Sequence, residues 1–164
     1  MAVMRRVVIL GRGGSGKSTL AARLGAITGL PVIELDERFW RPGLEATPPG
    51  QWATIQGELA RGEAWIMDGD LGPYDVPGVR LRAADTVILL DFSFWRCAWR
   101  ALRRSRERAD FWLWVWAYRR RSRPLLLRAI ATHAGDADVH VIRNPRALRG
   151  FVAHVTAGRT SSRP

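Results

Sequence analysis

Residues 7–25 read VVILGRGGSGKSTLAARLG. Val7–Leu10 is an unbroken aliphatic run, the pattern of a strand buried on both faces of a sheet. Residues 11–18 then satisfy G-x-x-x-x-G-K-[ST] at every required position. Behind them Leu20, Ala21, Leu24 and Ile27 recur at helical spacing. A strand before and a helix after is the context in which this motif binds phosphate. Gly11, Gly13, Gly14 and Gly16, with Ser15 among them, let backbone N–H groups turn inward as a nest for phosphate oxygens, and the helix start adds its positive end. Ser18 offers a hydroxyl to Mg2+, with Thr19 behind it.

Lys17 is the only lysine in a chain that otherwise carries 25 arginines. A guanidinium is a broad planar fork, whereas the β- and γ-phosphates of a nucleotide need a compact, rotatable point charge. The position that keeps lysine is the one where arginine will not serve.

Outward from this loop the chain alternates strands and helices. Strands are expected at Pro31–Leu35, Ala64–Met67, Thr86–Leu90 and Val139–Ile142. Helices are expected over Gln51–Arg61 with Trp52, Ile55 and Leu59 inward, from Ser93 to about Arg106, over 111–121 and 124–134, and after Asn144, which caps a helix with Pro145 at its first position. Three prolines and a glycine make Arg38–Pro49 a loop. Such alternation implies a three-layer α/β fold, a parallel sheet with helices on both faces, whose ligands bind at the carboxyl ends of the strands. Gly11, Asp36, Asp68, Asp91 and Arg143–Asn144 fall at those ends.

The 164 residues suffice for one well-buried core, expected over 1–157, with 158–164 a disordered tail. The longest apolar run, Phe111–Tyr118, is far short of the roughly 20 residues that span a membrane. The single cysteine, Cys97, excludes an internal disulfide and fits a cytoplasmic protein. His133, His140 and His154 lack ligand spacing, so a His/Cys metal site is not expected. A formal net charge of +11 attracts polyanions or phosphorylated small molecules, and 11 of the arginines lie between residues 96 and 128. Half of that stripe is accounted for as solvated surface, and the tryptophans of FWLWVW (111–116) by packing or a dimer contact rather than base stacking.

The ordered set GRGGSGKSTLAARLG, LDERFWRPG (35–43), WIMDGD (65–70), ADTVILLDFSFWRCAWRALRR (84–104) and FWLWVWAYRRRSRPLLL (111–127) resembles the small nucleoside- and nucleotide-kinase branch of P-loop proteins. Adenylate kinase and shikimate kinase belong to that branch, and the likeness is nearest to the bacterial adenylate-kinase-like, or DNA topology modulation, proteins. The resemblance implies a five-stranded parallel sheet of order 2-3-1-4-5, ATP as phosphoryl donor and Mg2+ as cofactor. It implies that Asp36 orients the acceptor, that Asp68 rather than Asp91 serves the metal together with Ser18, and that Asp91 begins a helix before Ser93. Arg103 or Arg104 would stack over the adenine ring, with Arg146 bordering it from the Arg143–Pro145 loop. Arg38, Trp40, Arg41 and Arg80 would grip a small acceptor beside Asp36.

Two departures stand out. The lid of relatives shrinks here to 105–110, SRERAD, leaving Arg104, Arg106, Arg108, Arg120 and Arg121 as candidates for charge stabilisation. Asp70 stands where relatives often carry Asn, which discourages an anionic acceptor unless Arg80 or Arg82 compensates. The expected activity is transfer of the γ-phosphate of Mg·ATP to a nucleotide, nucleoside or other small acceptor, by a monomer or homodimer. The alternatives are an ATP-switched nucleic-acid-binding regulator and a nucleotide-binding protein without turnover.

Overall fold

The computed structural model describes residues 4–43, 45–93 and 122–160. In chain order its elements are β1 (Arg6–Gly11), α1 (Lys17–Thr28), β2 (Val32–Glu34), α2 (Leu35–Phe39), β3 (Trp40–Arg41), β4 (Glu45–Ala46), α3 (Pro49–Ala60), β5 (Trp65–Asp68), a 3-10 turn (Gly72–Tyr74), α4 (Gly78–Ala83), β6 (Thr86–Leu90), α5 (Ser122–His133), β7 (Asp138–Ile142) and α6 (Pro145–Thr160).

Five parallel strands form one sheet in the order β2-β5-β1-β6-β7. Counted among themselves they run 2-3-1-4-5, the order the resemblance implies. β1 lies at the centre, and its side chains alternate between two cores, as strand periodicity requires. Val8 and Leu10 join Trp52 of α3, Leu81 of α4 and Leu126 and Ile130 of α5. Val7 and Ile9 join Leu20 and Leu24 of α1 and Val152 and Val155 of α6. Full burial of each such aliphatic side chain is worth about 1.5–3 kcal/mol, so the sheet centre is firmly anchored.

The segment read as a loop over Arg38–Pro49 is more ordered than its prolines suggest. Leu35 and Phe39, four residues apart, both bury completely and wind α2 between them. The chain then turns through the antiparallel pair β3–β4, and the Thr47 hydroxyl donates to the Phe39 carbonyl. Because Leu35 is drawn into that helix, β2 is confined to Val32–Glu34. Pro49 opens α3 at its first position, two residues earlier than expected. Pro124 lies in the first turn of α5, where it breaks no helical hydrogen bond. At α6 the expected cap is present: Asn144 Oδ1 accepts from the Ala147 N–H at 2.8 Å. The Ser93–Arg106 and 111–121 helices lie outside the described residues apart from Ser93 itself.

Candidate functional site: a phosphate loop facing buried carboxylates

The strand ends converge because the sheet is parallel and in register. Ile9 and Glu34 flank Asp68, and Gly11 lies beside Leu90. Gly11 is required by that closeness: a Cβ there would stand 2.7 Å from the Leu90 carbonyl oxygen. The loop leaves β1, curls through a Ser15 N–H to Arg12 carbonyl bond of 3.1 Å, and enters α1 at Gly16. Gly16 holds φ 94°, a left-handed conformation that glycine adopts without steric cost. Among the described residues the Lys17 ammonium makes one hydrogen bond, to the Arg12 carbonyl at 3.3 Å. Arg12 itself is 3% exposed, a buried loop cation that the motif alone does not flag because its position is unrestricted.

Three carboxylates face this lysine, and all are held above the usual carboxylate range. For Asp68 the cause is desolvation, opposed by a hydrogen bond from the Ser18 hydroxyl and by the charge of Lys17. Its Oδ1 is buried without a partner among the described residues. For Asp70 desolvation again dominates, with Lys17 and the Gly72 N–H opposing and Asp75 adding to the rise. The Gly72 N–H reaches Oδ1 at 3.1 Å, while Oδ2 is buried and unpartnered among the described residues. Asp36, in the first turn of α2, stands at the solvent-open rim; desolvation on its protein side raises it, Lys17 opposes, and Asp68 and Asp75 add. Each buried carboxylate is costly unless something supplies the missing donors or positive charge.

Arg80 departs from its expected role beside the acceptor. It is wholly buried beneath the site, and its terminal nitrogens reach Gln56 Oε1 at 2.6 Å, the Gly69 carbonyl at 3.1 Å and both oxygens of Asp75 at 2.8 and 2.6 Å. Asp75 also accepts from Trp52 Nε1 and from the backbone of Leu71 and Val76. Burial pushes the Asp75 carboxyl up, but the Arg80 charge and hydrogen bonds outweigh it and leave it below the usual range. Sequence reasoning missed both partners: Gln56 is 24 residues away, and Asp75, five residues away, lies outside the α4 helix, where helical spacing does not pair it with Arg80.

The other expected acceptor residues are exposed. Arg38 and Arg41 lie on the surface, Arg41 bonded to Gln51, and Trp40 is 41% exposed. Tyr74, on the 3-10 turn after Asp70, is 55% exposed and was not anticipated. Asp91 is gripped by Arg123 at 3.0 and 2.8 Å, with Arg143 at 3.8 Å. It is therefore engaged in an ion-pair cluster, whereas Asp68 Oδ1 is buried without a partner among the described residues. On the far side of the loop a cleft of about 70 Å3 opens between α1 and α6, lined by Ser15, Thr19, Arg23, Leu148 and Val152. Arg146 lies exposed in the first turn of α6, two residues before Leu148. Arg103, Arg104, Arg108 and Arg120, and the short lid over 105–110, lie outside the described residues.

The backbone matches solved structures along nearly its whole length. Shikimate kinase from Acinetobacter baumannii, in complex with shikimate, superposes with a TM-score of 0.59 at 17% identity, over 98% of this chain and 95% of that one. The likeness shows a shared fold, a five-stranded parallel sheet with helices on both faces. A gluconokinase from Sinorhizobium meliloti gives 0.56 at 16% identity over 96% and 93% of the two chains. A sugar kinase from a Janibacter species gives 0.54 at 22% identity, again over 96% and 93%. No protein-family model matches the chain, and no curated protein matches it in sequence. Among the described residues, no helix is long and apolar enough to cross a membrane.

Proposed function

We propose that the chain is a Mg·ATP-dependent phosphotransferase acting on the hydroxyl of a small acceptor, within the small-kinase branch that its ordered motifs resemble. One observation carries the reading: the phosphate loop presents Lys17, with one hydrogen bond, towards carboxylates whose buried oxygens await ligands. The loop amides and Lys17 would hold the β- and γ-phosphates, and the cleft between α1 and α6 lies on the side where the rest of the nucleotide would extend.

Ser18 and Asp68 fit a divalent cation shared with the nucleotide. Both are hard oxygen donors, Asp68 at the end of β5 and Ser18 at the start of α1, and Asp68 Oδ1 lacks a partner among the described residues. No group of three metal-ligating side chains occurs among the described residues, but magnesium on a nucleotide needs only one or two carboxylates. Such a cation would neutralise charge on the β- and γ-phosphates.

Asp36 would orient the acceptor hydroxyl. As its oxygen bonds to the γ-phosphorus, the bond from that phosphorus to the β–γ bridging oxygen breaks and ADP leaves. The hydroxyl proton passes to the Asp36 carboxylate, whose raised affinity for protons suits a base. The test follows labelled γ-phosphate from Mg·ATP into a panel of nucleoside monophosphates, nucleosides and polyols, with Lys17→Ala as control. Transfer to an acceptor, lost in the variant, is the expected result. No transfer to any of them, together with salt-steep DNA binding that responds to ATP, would replace the enzyme reading with that of a nucleic-acid-binding regulator.

A further inference from the structure

Resting on that phosphotransferase reading, we propose that the acceptor is an uncharged or ammonium-bearing polyhydroxy compound, of sugar, cyclitol or aminosugar chemistry, and that Asp70 selects it against carboxylates and phosphates.

The selecting atom is Asp70 Oδ2. It is buried, it has no partner among the described residues, and the side chain that bears it is only 9% exposed. Asp70 lies two residues beyond Asp68, at the carboxyl end of β5 beside β1, the strand that leads into the phosphate loop. A ligand hydroxyl or ammonium would donate to this oxygen. A ligand carboxylate or phosphate would bring only further lone pairs and a like charge. A site built with a buried polar atom rejects ligands that leave it unpaired far more strongly than an apolar pocket rejects a misfit.

Among the described residues, the two arginines of α4 that could offset an anionic acceptor are engaged elsewhere. Arg80 is locked onto Asp75, Gln56 and the Gly69 carbonyl with no exposed surface. Paired with Asp75 at 2.6 Å, Arg80 carries its own counter-charge. Arg82 is exposed and lies 3.1 Å from His133 Nδ1, on α5. Lys17 belongs to the nucleotide phosphates.

The rim supplies an independent observation. Trp40 and Tyr74 are both substantially exposed, and both rest on the ring of Phe39, at centroid distances of 4.9 and 6.3 Å. Phe39 lies three residues after Asp36 on α2. Open aromatic faces beside carboxylates suit the C–H face of a sugar ring or an ammonium group.

The experiment measures ADP release by the full chain with acceptor pairs that differ mainly in charge: glucitol and gluconate, glucosamine and glucuronate, methyl shikimate and shikimate. The neutral or cationic member of at least one pair is expected to show kcat/KM about tenfold or more above its acid. In Asp70→Asn that ratio should collapse by about tenfold, a readout that general loss of activity does not move. Asp70→Ser repeats the test should the first variant fold poorly, and the wild-type ranking needs no variant. Preference for the acid members would overturn the proposal while leaving the phosphotransferase intact. Absence of transfer to all six, with transfer to a nucleoside monophosphate observed, would overturn this proposal and leave the phosphotransferase reading, whereas absence of transfer to these and to the nucleotide and nucleoside panel would remove both.

Discussion

Arg80 and Lys17 lie in neighbouring regions at the same end of one sheet, and they are treated in opposite ways. Around Arg80 the structure is closed: both terminal nitrogens and both oxygens of Asp75 are hydrogen-bonded, and the guanidinium has no exposed surface. Around Lys17 it is open: one carbonyl at 3.3 Å, and facing it carboxylate oxygens of Asp68 and Asp70 that are buried without partners among the described residues. Burying polar groups without partners works against folding. Arg80 is balanced by its carboxylate partner through two hydrogen bonds, although Arg80 Nε and Gln56 Nε2 have no partner among the described residues, whereas no described cation is hydrogen-bonded to Asp68 or Asp70. The open region is the candidate site, and the paired region lies beneath it.

The largest effect should follow from removing the open cation. Lys17→Ala should lower phosphoryl transfer by about 10²–10³-fold or more, the scale seen when one transition-state donor is deleted, while the melting temperature of the free protein stays within a degree or two. A large loss of stability would place Lys17 in the scaffold and break the contrast.

Arg80→Met tests the other side. Stranding Asp75 in the interior should cost about 3–5 kcal/mol in urea unfolding. The double variant Arg80→Met/Asp75→Leu should recover much of that, because both charges then leave together. If Arg80→Met leaves stability intact and raises only the acceptor KM, Arg80 is a substrate residue after all.

The two regions should also respond to pH with opposite signs. Asp75 is held below the usual carboxylate range, so its stabilising contribution is present above the unfolded value near 4 and is lost as pH falls through the lowered folded value. Asp75→Asn should therefore be destabilised at neutral pH, with the gap closing only in stronger acid. Asp70 is held above the usual range, so the folded state binds its proton more tightly and stability falls as pH rises through the raised value. Asp70→Asn should then gain about 0.5–2 kcal/mol over the parent at neutral pH and converge with it near pH 4. Chemical denaturation across pH 3–8 reads both curves.

A distant substitution sets the baseline. Asn144→Ala removes the α6 cap and should cost about 1 kcal/mol without altering acceptor preference.

The parts of this molecule legible in its sequence are those specified by neighbours in the chain. The strand, loop and helix of residues 7–25 follow from an aliphatic run, four glycines and a helical repeat, and Asn144–Pro145 announces the last helix. The position of Asp68 at a strand end is equally local, whereas Asp36, expected at one, lies in the first turn of α2, two residues beyond β2. What escaped was set by the third dimension. The α2 helix has only Leu35 and Phe39 to anchor it, too few for periodicity to show among polar residues and prolines. Arg80 reads as one arginine among many until α3 and α4 bring Gln56 and Asp75 against it. The isolation of Asp70 Oδ2 is visible only once the loop from Gly69 to Tyr74 is folded over it.

The most direct test is calorimetric titration of Mg·ATP into the free protein and into Lys17→Ala, each first shown to melt at the same temperature. The open-site interpretation predicts saturable binding to the parent, weakened at least about tenfold in the variant, in keeping with the loss of a charge-assisted contact of about 1.5–3 kcal/mol. Equal affinity in the two proteins would contradict it, because the cation that the closed region leaves unspent would then have no ligand to hold.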